Sequence, residues 1–127
     1  MAKVITLKQP WAQLVVKGCK QWETRGWNTN YRGELFIHSS AHFHFSDLEL
    51  VQLDEDFKAC IGDPHTLRMG YILGKVELVE VRRVEEAMDI ISRCEMKFGN
   101  YMPNRYAWKL ENPVMFQNPI WVMNHSY

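Results

Sequence analysis

The chain has 127 residues, 46% of them hydrophobic and 13% aromatic, a size and composition expected of a single domain spanning 1–127 with one core. Fifteen Lys and Arg balance fifteen Asp and Glu, so the net charge is zero, which argues against a protein that coats duplex DNA through bulk electrostatics. No low-complexity stretch, internal repeat or signal peptide is evident, and no apolar run approaches the ~20 residues that cross a bilayer, so a cytoplasmic protein with no membrane partner is expected.

Val4-Ile5-Thr6-Leu7 is a β-branched run that reads as a strand. Pro10 then suits the first turn of a short helix, with Trp11, Leu14 and Val15 on one apolar face and Gly18 as a left-handed C-terminal cap. An extended segment follows, Lys20-Gln21-Trp22-Glu23-Thr24-Arg25, in which alternation puts Lys20, Trp22 and Thr24 on one side and Gln21, Glu23 and Arg25 on the other. After turn residues Asn28, Asn30, Arg32 and Gly33, Glu34-Leu35-Phe36-Ile37-His38 forms a strand ending in Ser39-Ser40.

Ser46 and Glu49 have capping-box spacing, and Leu50, Leu53 and Phe57 continue one helical face toward Gly62-Asp63-Pro64. Residues 70–82 alternate as the longest and central strand, with Gly74 marking a bulge or a close approach. Val84, Ala87, Met88, Ile91, Cys94 and Phe98 trace one amphipathic helix ending at Gly99-Asn100, and two final strands are expected at 105–111 and 114–122, with Pro113 and Pro119 suggesting an edge. Strands gathered around short helices without a βαβ rhythm predict an α+β domain or a small five- to six-stranded β-barrel with flanking helices.

Three constellations carry chemistry. The opening third is basic: residues 1–40 hold Lys3, Lys8, Lys17, Lys20, Arg25 and Arg32 against Glu23 and Glu34. Within it, Lys20, Glu23 and Arg25 follow directly on a helix cap and are flanked by Trp22 and Trp27. A lysine beside a carboxylate shuttles protons once burial lowers its pKa, and an arginine fork fits phosphate or carboxylate, whereas a strand with a solvent-facing Glu/Arg pair is the plainer alternative.

The second constellation is aromatic: Trp11, Trp22, Trp27, Tyr31, Trp108 and Trp121 are mainly core by their bulk, with Trp27 best placed to stack on a base. The third, His38, His42 and His44, has poor ligand spacing, so no metal is expected; His38 either meets a ligand at its strand's end or satisfies local backbone. Cys19, Cys60 and Cys94 are widely spaced and odd in number, so they read as reduced thiols, and the absence of P-loop, GxGxxG, GxSxG and HExxH patterns gives no reason to expect a cofactor.

Lys8-Gln9-Pro10-Trp11-Ala12, Gly18-x-Lys20-x-x-Glu23-x-Arg25-x-Trp27, Tyr31-Arg32-Gly33, Ile37-His38-Ser39, Gly70 to Val76 and Arg105 to Leu110 together resemble the ASCH domain family over nearly the whole chain. The resemblance implies a PUA-like β-barrel whose cleft takes single-stranded RNA or a nucleoside or nucleotide, with Lys20, Glu23 and Arg25 carried over by motif. Around them, Lys8, Gln9, Trp27, Arg32, His38, Ser39 and Trp108 are the expected ligand-binding residues.

One branch of the family resembles N4-acetylcytidine amidohydrolases that use a Lys, a Thr three residues later and a Glu on a downstream helix. Here the Thr position is Glu23, Thr24 is adjacent, and the helix offers Glu86 or Glu95. Three readings follow: a binding module; a small amidohydrolase or ribonuclease with Lys20 and Glu23 as catalytic residues; or a protein-interaction adaptor using the acidic segment 46–58, as in family members found in coactivator assemblies.

Overall fold

The computed structural model describes residues 3–122. Its elements run β1 (Lys3–Leu7), α1 (Trp11–Val16), β2 (Trp22–Arg25), β3 (Gly33–Ser39), α2 (Phe45–Leu53), α3 (Glu55–Ile61), a 3₁₀ turn at Pro64–Thr66, β4 (Tyr71–Arg83), α4 (Val84–Ala87), α5 (Arg93–Lys97) and β5 (Tyr106–Trp121). The five strands form one mixed sheet in the order β1-β3-β4-β5-β2, parallel only between β1 and β3. The expected central strand is therefore β4, while β5 at 16 residues exceeds its 13 and is the longest.

The two expected C-terminal strands are one. Glu77 pairs with Glu111 and Lys75 with Val114, so β5 advances one residue further than β4 there; Asn112, at φ 52°, absorbs the extra residue and Pro113 lies in the bulge. A second register shift between Ile72 and Gly74 spans Pro119. Proline removes a ladder donor, which is harmless at a bulge, so both prolines fit inside a continuous strand. These bulges increase twist and curl the sheet. Among the described residues β1 and β2 exchange no ladder bonds, but Arg25 Nη2 of β2 donates to Thr6 O of β1 at 3.2 Å, tying the two edges at one end of a barrel-like sheet.

Helix α1 fills the concave side. Ala12, Val15 and Val16 pack against Leu7, Leu35, Ile37, Val76, Leu78 and Trp108, while Leu14 faces a second cluster with Val51, Phe57, Ile61 and Phe98 from the outer helices. The expected single apolar stripe is instead a helix apolar nearly all round, which is what a helix enclosed on both sides requires. Leu14 and Ile37, both at 0% exposure, each contribute about 1.5–3 kcal/mol by burial. A third cluster of Trp22, Val84, Ala87 and Ala107 lies where α4 covers β2 and β5.

Three capping expectations change. Pro10 is the N-cap of α1 rather than its first turn. Ser46 is inside α2, whose N-cap is His44 without a side-chain bond, and the expected long helix is broken at Asp54, whose carboxylate accepts from the amides of Asp56 and Phe57 to start α3. The helix expected over 84–98 is likewise divided into α4 and α5, because Ser92 caps the second by accepting from Glu95 N. No described helix is long and apolar enough to cross a membrane.

Candidate functional site

Gly18 ends α1 at φ 81°, and Lys20 N bonds back to Leu14 O at 3.0 Å, so the chain turns sharply into β2. Lys20 therefore precedes the strand and does not follow its alternation. Its Nζ lies 3.6 Å from Glu23 Oε1 and donates to Trp22 O, although a fully extended segment would have put Lys20 and Glu23 on opposite sides. Gly99 makes room for this turn: a Cβ there would stand 2.8 Å from Tyr101 Cε2 and 3.4 Å from Lys20 Nζ.

Lys20 is 2% exposed. Burial lowers its pKa below the ordinary 10.5, against the opposing pull of the Glu23 and Glu95 carboxylates. A depressed folded-state pKa makes a stabilising contribution above the unfolded value and loses it as pH falls through the folded value. Wild-type stability relative to Lys20→Met should accordingly rise as pH is raised toward 10.5. Chemical denaturation of both proteins from neutral to alkaline pH measures this difference, and parallel curves would contradict it.

Glu95, 6% exposed, answers which downstream carboxylate approaches: Glu86 is exposed on α4, whereas Glu95 accepts from Gln21 N at 2.9 Å and Trp22 N at 3.1 Å. Burial raises its pKa, opposed by those amides and by the charge of Lys20. Glu95 is a backbone clamp that fixes where Lys20 and Glu23 emerge. Its sequence signal was the Ser92-x-x-Glu95 spacing; Ser92 caps the helix, but the glutamate turns toward β2 instead of back to its own N-cap.

Glu23 Oε2 lies 3.1 Å from Arg25 Nε, and the Arg25 guanidinium is 5.4 Å from the centre of the Trp27 ring. Trp27 is 56% exposed and stands edge-on to Trp108, with centroids 6.4 Å apart at 86°. Glu23, Arg25 and Trp27 line a cleft of 680 Å³ together with Lys8, Trp11, Lys97, Gly99, Asn100 and Arg105. Arg105, absent from the expected site, donates from Nε to Asn100 O at 3.1 Å and from Nη2 to Thr24 O at 3.0 Å. Its place at the head of the Arg105-Tyr106-Ala107-Trp108 run was the hint in the sequence.

The other expected ligand residues are held elsewhere. Gln9 is fully buried, its amide accepting from Gln13 N and donating to Arg68 O at 3.0 Å each. Ser39 braces Tyr71 through two hydrogen bonds across β3 and β4, and Arg32 folds back on the carbonyls of Thr29 and Tyr31. His38 Nδ1 is 3.1 Å from Thr6 Oγ1, its Nε2 is buried without a partner among the described residues, and burial lowers its pKa. Trp108 is buried beneath Trp27 and does not line the cleft. Thr24, by contrast, is among the residues that line the cleft, although its side chain is buried with its hydroxyl 3.4 Å from Arg105 Nη2. Among the described residues no cluster of His, Cys, Asp or Glu could hold a metal ion.

A curled five-stranded mixed sheet, a helix inside its concave face and a basic cleft at the joined edges define a PUA-like α+β fold. The ASCH domain family model matches residues 5–120, and the chain belongs to that family, whose PUA-like domains are generally RNA-binding. Activating signal cointegrator 1 of Homo sapiens and of Mus musculus are each 27% identical to it over 94% of this chain, which spans only 22% of their length. The crystal structure of ASCH from Zymomonas mobilis superposes with a TM-score of 0.58 at 14% identity, covering 95% of this chain and 73% of that one. A tyrosine-to-phenylalanine mutant of the same Zymomonas mobilis protein gives the same score at 15% identity, covering 95% and 76%, a likeness of fold.

Proposed function

We propose that the cleft binds single-stranded RNA or a nucleotide, with Trp27 as the stacking platform and Lys8, Arg25 and Glu23 as its polar contacts. One observation carries this reading: a tryptophan left 56% exposed is fixed edge-on by Trp108 and flanked by Arg25 at the mouth of a basic cleft. An aromatic ring costs free energy to leave in water, and a rigid one beside cations suits a base next to a phosphate. Stacking contributes about 1–3 kcal/mol per base, so Trp27→Ala should weaken binding by about 5- to 150-fold. Fluorescence anisotropy with labelled single-stranded RNA oligomers and nucleotides, with duplex DNA for comparison, measures this. Affinity for single strands should fall with salt by a log–log slope of about −0.7 per neutralised phosphate. Absence of binding at low salt, or binding indifferent to both salt and Trp27→Ala, would sink the proposal.

A second reading, hydrolysis of a modified nucleoside amide or of RNA, draws support from Lys20, a buried amine with lowered pKa between two carboxylates. The hydroxyl nucleophile is the weak point: Glu23 stands at the threonine position of the amidohydrolase pattern, and Thr24 is buried with its hydroxyl 3.4 Å from Arg105 Nη2. Product formation from N4-acetylcytidine or RNA that disappears in Lys20→Ala would support hydrolysis; turnover equal in the variant would eliminate it.

A further inference from the structure

We propose that Arg25 and Arg105 form a clamp for a terminal phosphate monoester, so that the preferred ligand is a nucleotide or a phosphorylated RNA end rather than an interior stretch of RNA. The proposal rests on the RNA-binding reading above and specifies which part of the ligand the cleft reads.

The protein leaves positive charge in the cleft incompletely compensated. Both guanidiniums line the same cleft, brought side by side where β2 pairs with the start of β5, Arg25 opposite Tyr106. Each is oriented by neutral backbone carbonyls: Arg25 by Thr6 O at 3.2 Å, Arg105 by Asn100 O at 3.1 Å and Thr24 O at 3.0 Å. Carbonyls fix a guanidinium's direction without cancelling its charge. Among the described residues Arg105 makes no ion pair, and the one carboxylate lining the cleft, Glu23, is shared between Arg25 at 3.1 Å and Lys20 at 3.6 Å. Among the described residues Arg25 Nε, though beside Glu23, is buried without an aligned hydrogen-bond acceptor. The other lysines on the walls are engaged at the rim: Lys8 stands 4.0 Å from Asp47, and Lys97 bonds Asp56 at 2.7 Å and Asp54 at 3.3 Å.

Two like charges thus share one cleft: burial is the main cause that lowers the Arg25 pKa, Glu23 opposes it, and the charge of Arg105 lowers it further, a repulsion that an anion between them would relieve. Guanidiniums match phosphate oxygens in a fixed fork. A monoester brings about −1.5 to −2 charges and three acceptor oxygens, against a single charge for a phosphodiester, and so neutralises a pair of arginines more fully. Because Arg25 also packs 5.4 Å from the Trp27 ring centre, the phosphate and the stacked base belong to the same nucleotide.

The test uses one short RNA sequence in three forms, with a 5′-phosphate, with a 3′-phosphate and with hydroxyls at both ends, titrated into wild type, Arg105→Gln and Arg105→Lys at constant ionic strength. One phosphorylated form should bind wild type about tenfold more tightly than the hydroxyl form, a difference of ~1.4 kcal/mol. That preference should vanish in Arg105→Gln and be largely lost in Arg105→Lys, which keeps charge but not the fork. Inorganic phosphate should compete with the phosphorylated form bound to wild type, an arm that needs no variant to fold. Equal affinity for all three RNAs overturns the clamp and leaves RNA binding standing. A preference that persists in folded Arg105→Gln, or failure of phosphate to compete, also overturns it, whereas no binding of any RNA removes the underlying reading and the clamp together.

Discussion

Gly74→Ala is expected to destabilise the fold by about 4 kcal/mol, the upper end of overpacking effects. Gly74 lies where β4 and β5 change register, and a Cβ there would stand 2.0 Å from Val114 O and 3.1 Å from both Val114 C and Met115 Cα. The obstruction is backbone, so no side-chain rotation relieves it. Either the long β5 shifts or the bulge that curls the sheet is lost. Gly26→Ala is the matched control: a Cβ there meets nothing within 4 Å, and its cost should stay within ~0.5 kcal/mol. Urea denaturation of the three proteins measures the difference. A Gly74→Ala protein as stable as wild type would mean that β4 and β5 do not approach in this register.

Glu95→Ala should cost about 3–5 kcal/mol, because it removes several partners at once. The amides of Gln21 and Trp22 lose their acceptors, and the buried Lys20 loses one of the two carboxylates that favour its charged form. Glu95→Gln should be milder, since one oxygen still accepts while the new NH₂ faces the second amide. A double-mutant cycle with Lys20→Met should be non-additive, as expected for groups in one buried network. If Glu95→Ala cost less than ~1 kcal/mol, the clamp would be dispensable for placing the Lys20–Glu23 turn.

These two positions illustrate how far the sequence carried. Gly74 was legible because a glycine inside an alternating strand has few explanations. Strands β1, β3 and β4 were legible from β-branched and alternating residues, and α1 from its apolar spacing and Gly18. The breaks at Asp54 and Ser92 were hidden because apolar periodicity continues across them: Leu53 and Phe57 share a helical spacing, but the Asp54 carboxylate stops one helix and caps the next. Pro113 and Pro119 suggested an edge, and they do lie in the part of β5 that pairs with β4 alone; the continuity of the strand past them was hidden because proline's missing donor matters in a regular ladder and not in a bulge.

The site divides in the same way. Lys20, Glu23, Arg25 and Trp27 lie within eight residues, so a local motif conveys them. Glu95 and Arg105 reach the cluster from beyond residue 90, brought there by α5 and the start of β5, and no local pattern reports that convergence. Gln9, Ser39, His38 and Trp108 belong to the family pattern yet are buried in the frame behind the cleft. A motif match does not separate residues that support a pocket from those that face it.

The central claim, that single-stranded RNA or a nucleotide occupies the cleft over Trp27, is tested most directly by NMR titration of isotope-labelled protein with a short single-stranded RNA. The predicted result is a contiguous set of shifted amides at residues 6–8, 23–27 and 97–105, together with the indole N–H of Trp27. Shifts confined to residues 114–121 of β5 or to α2, or no shifts at low salt, would contradict it.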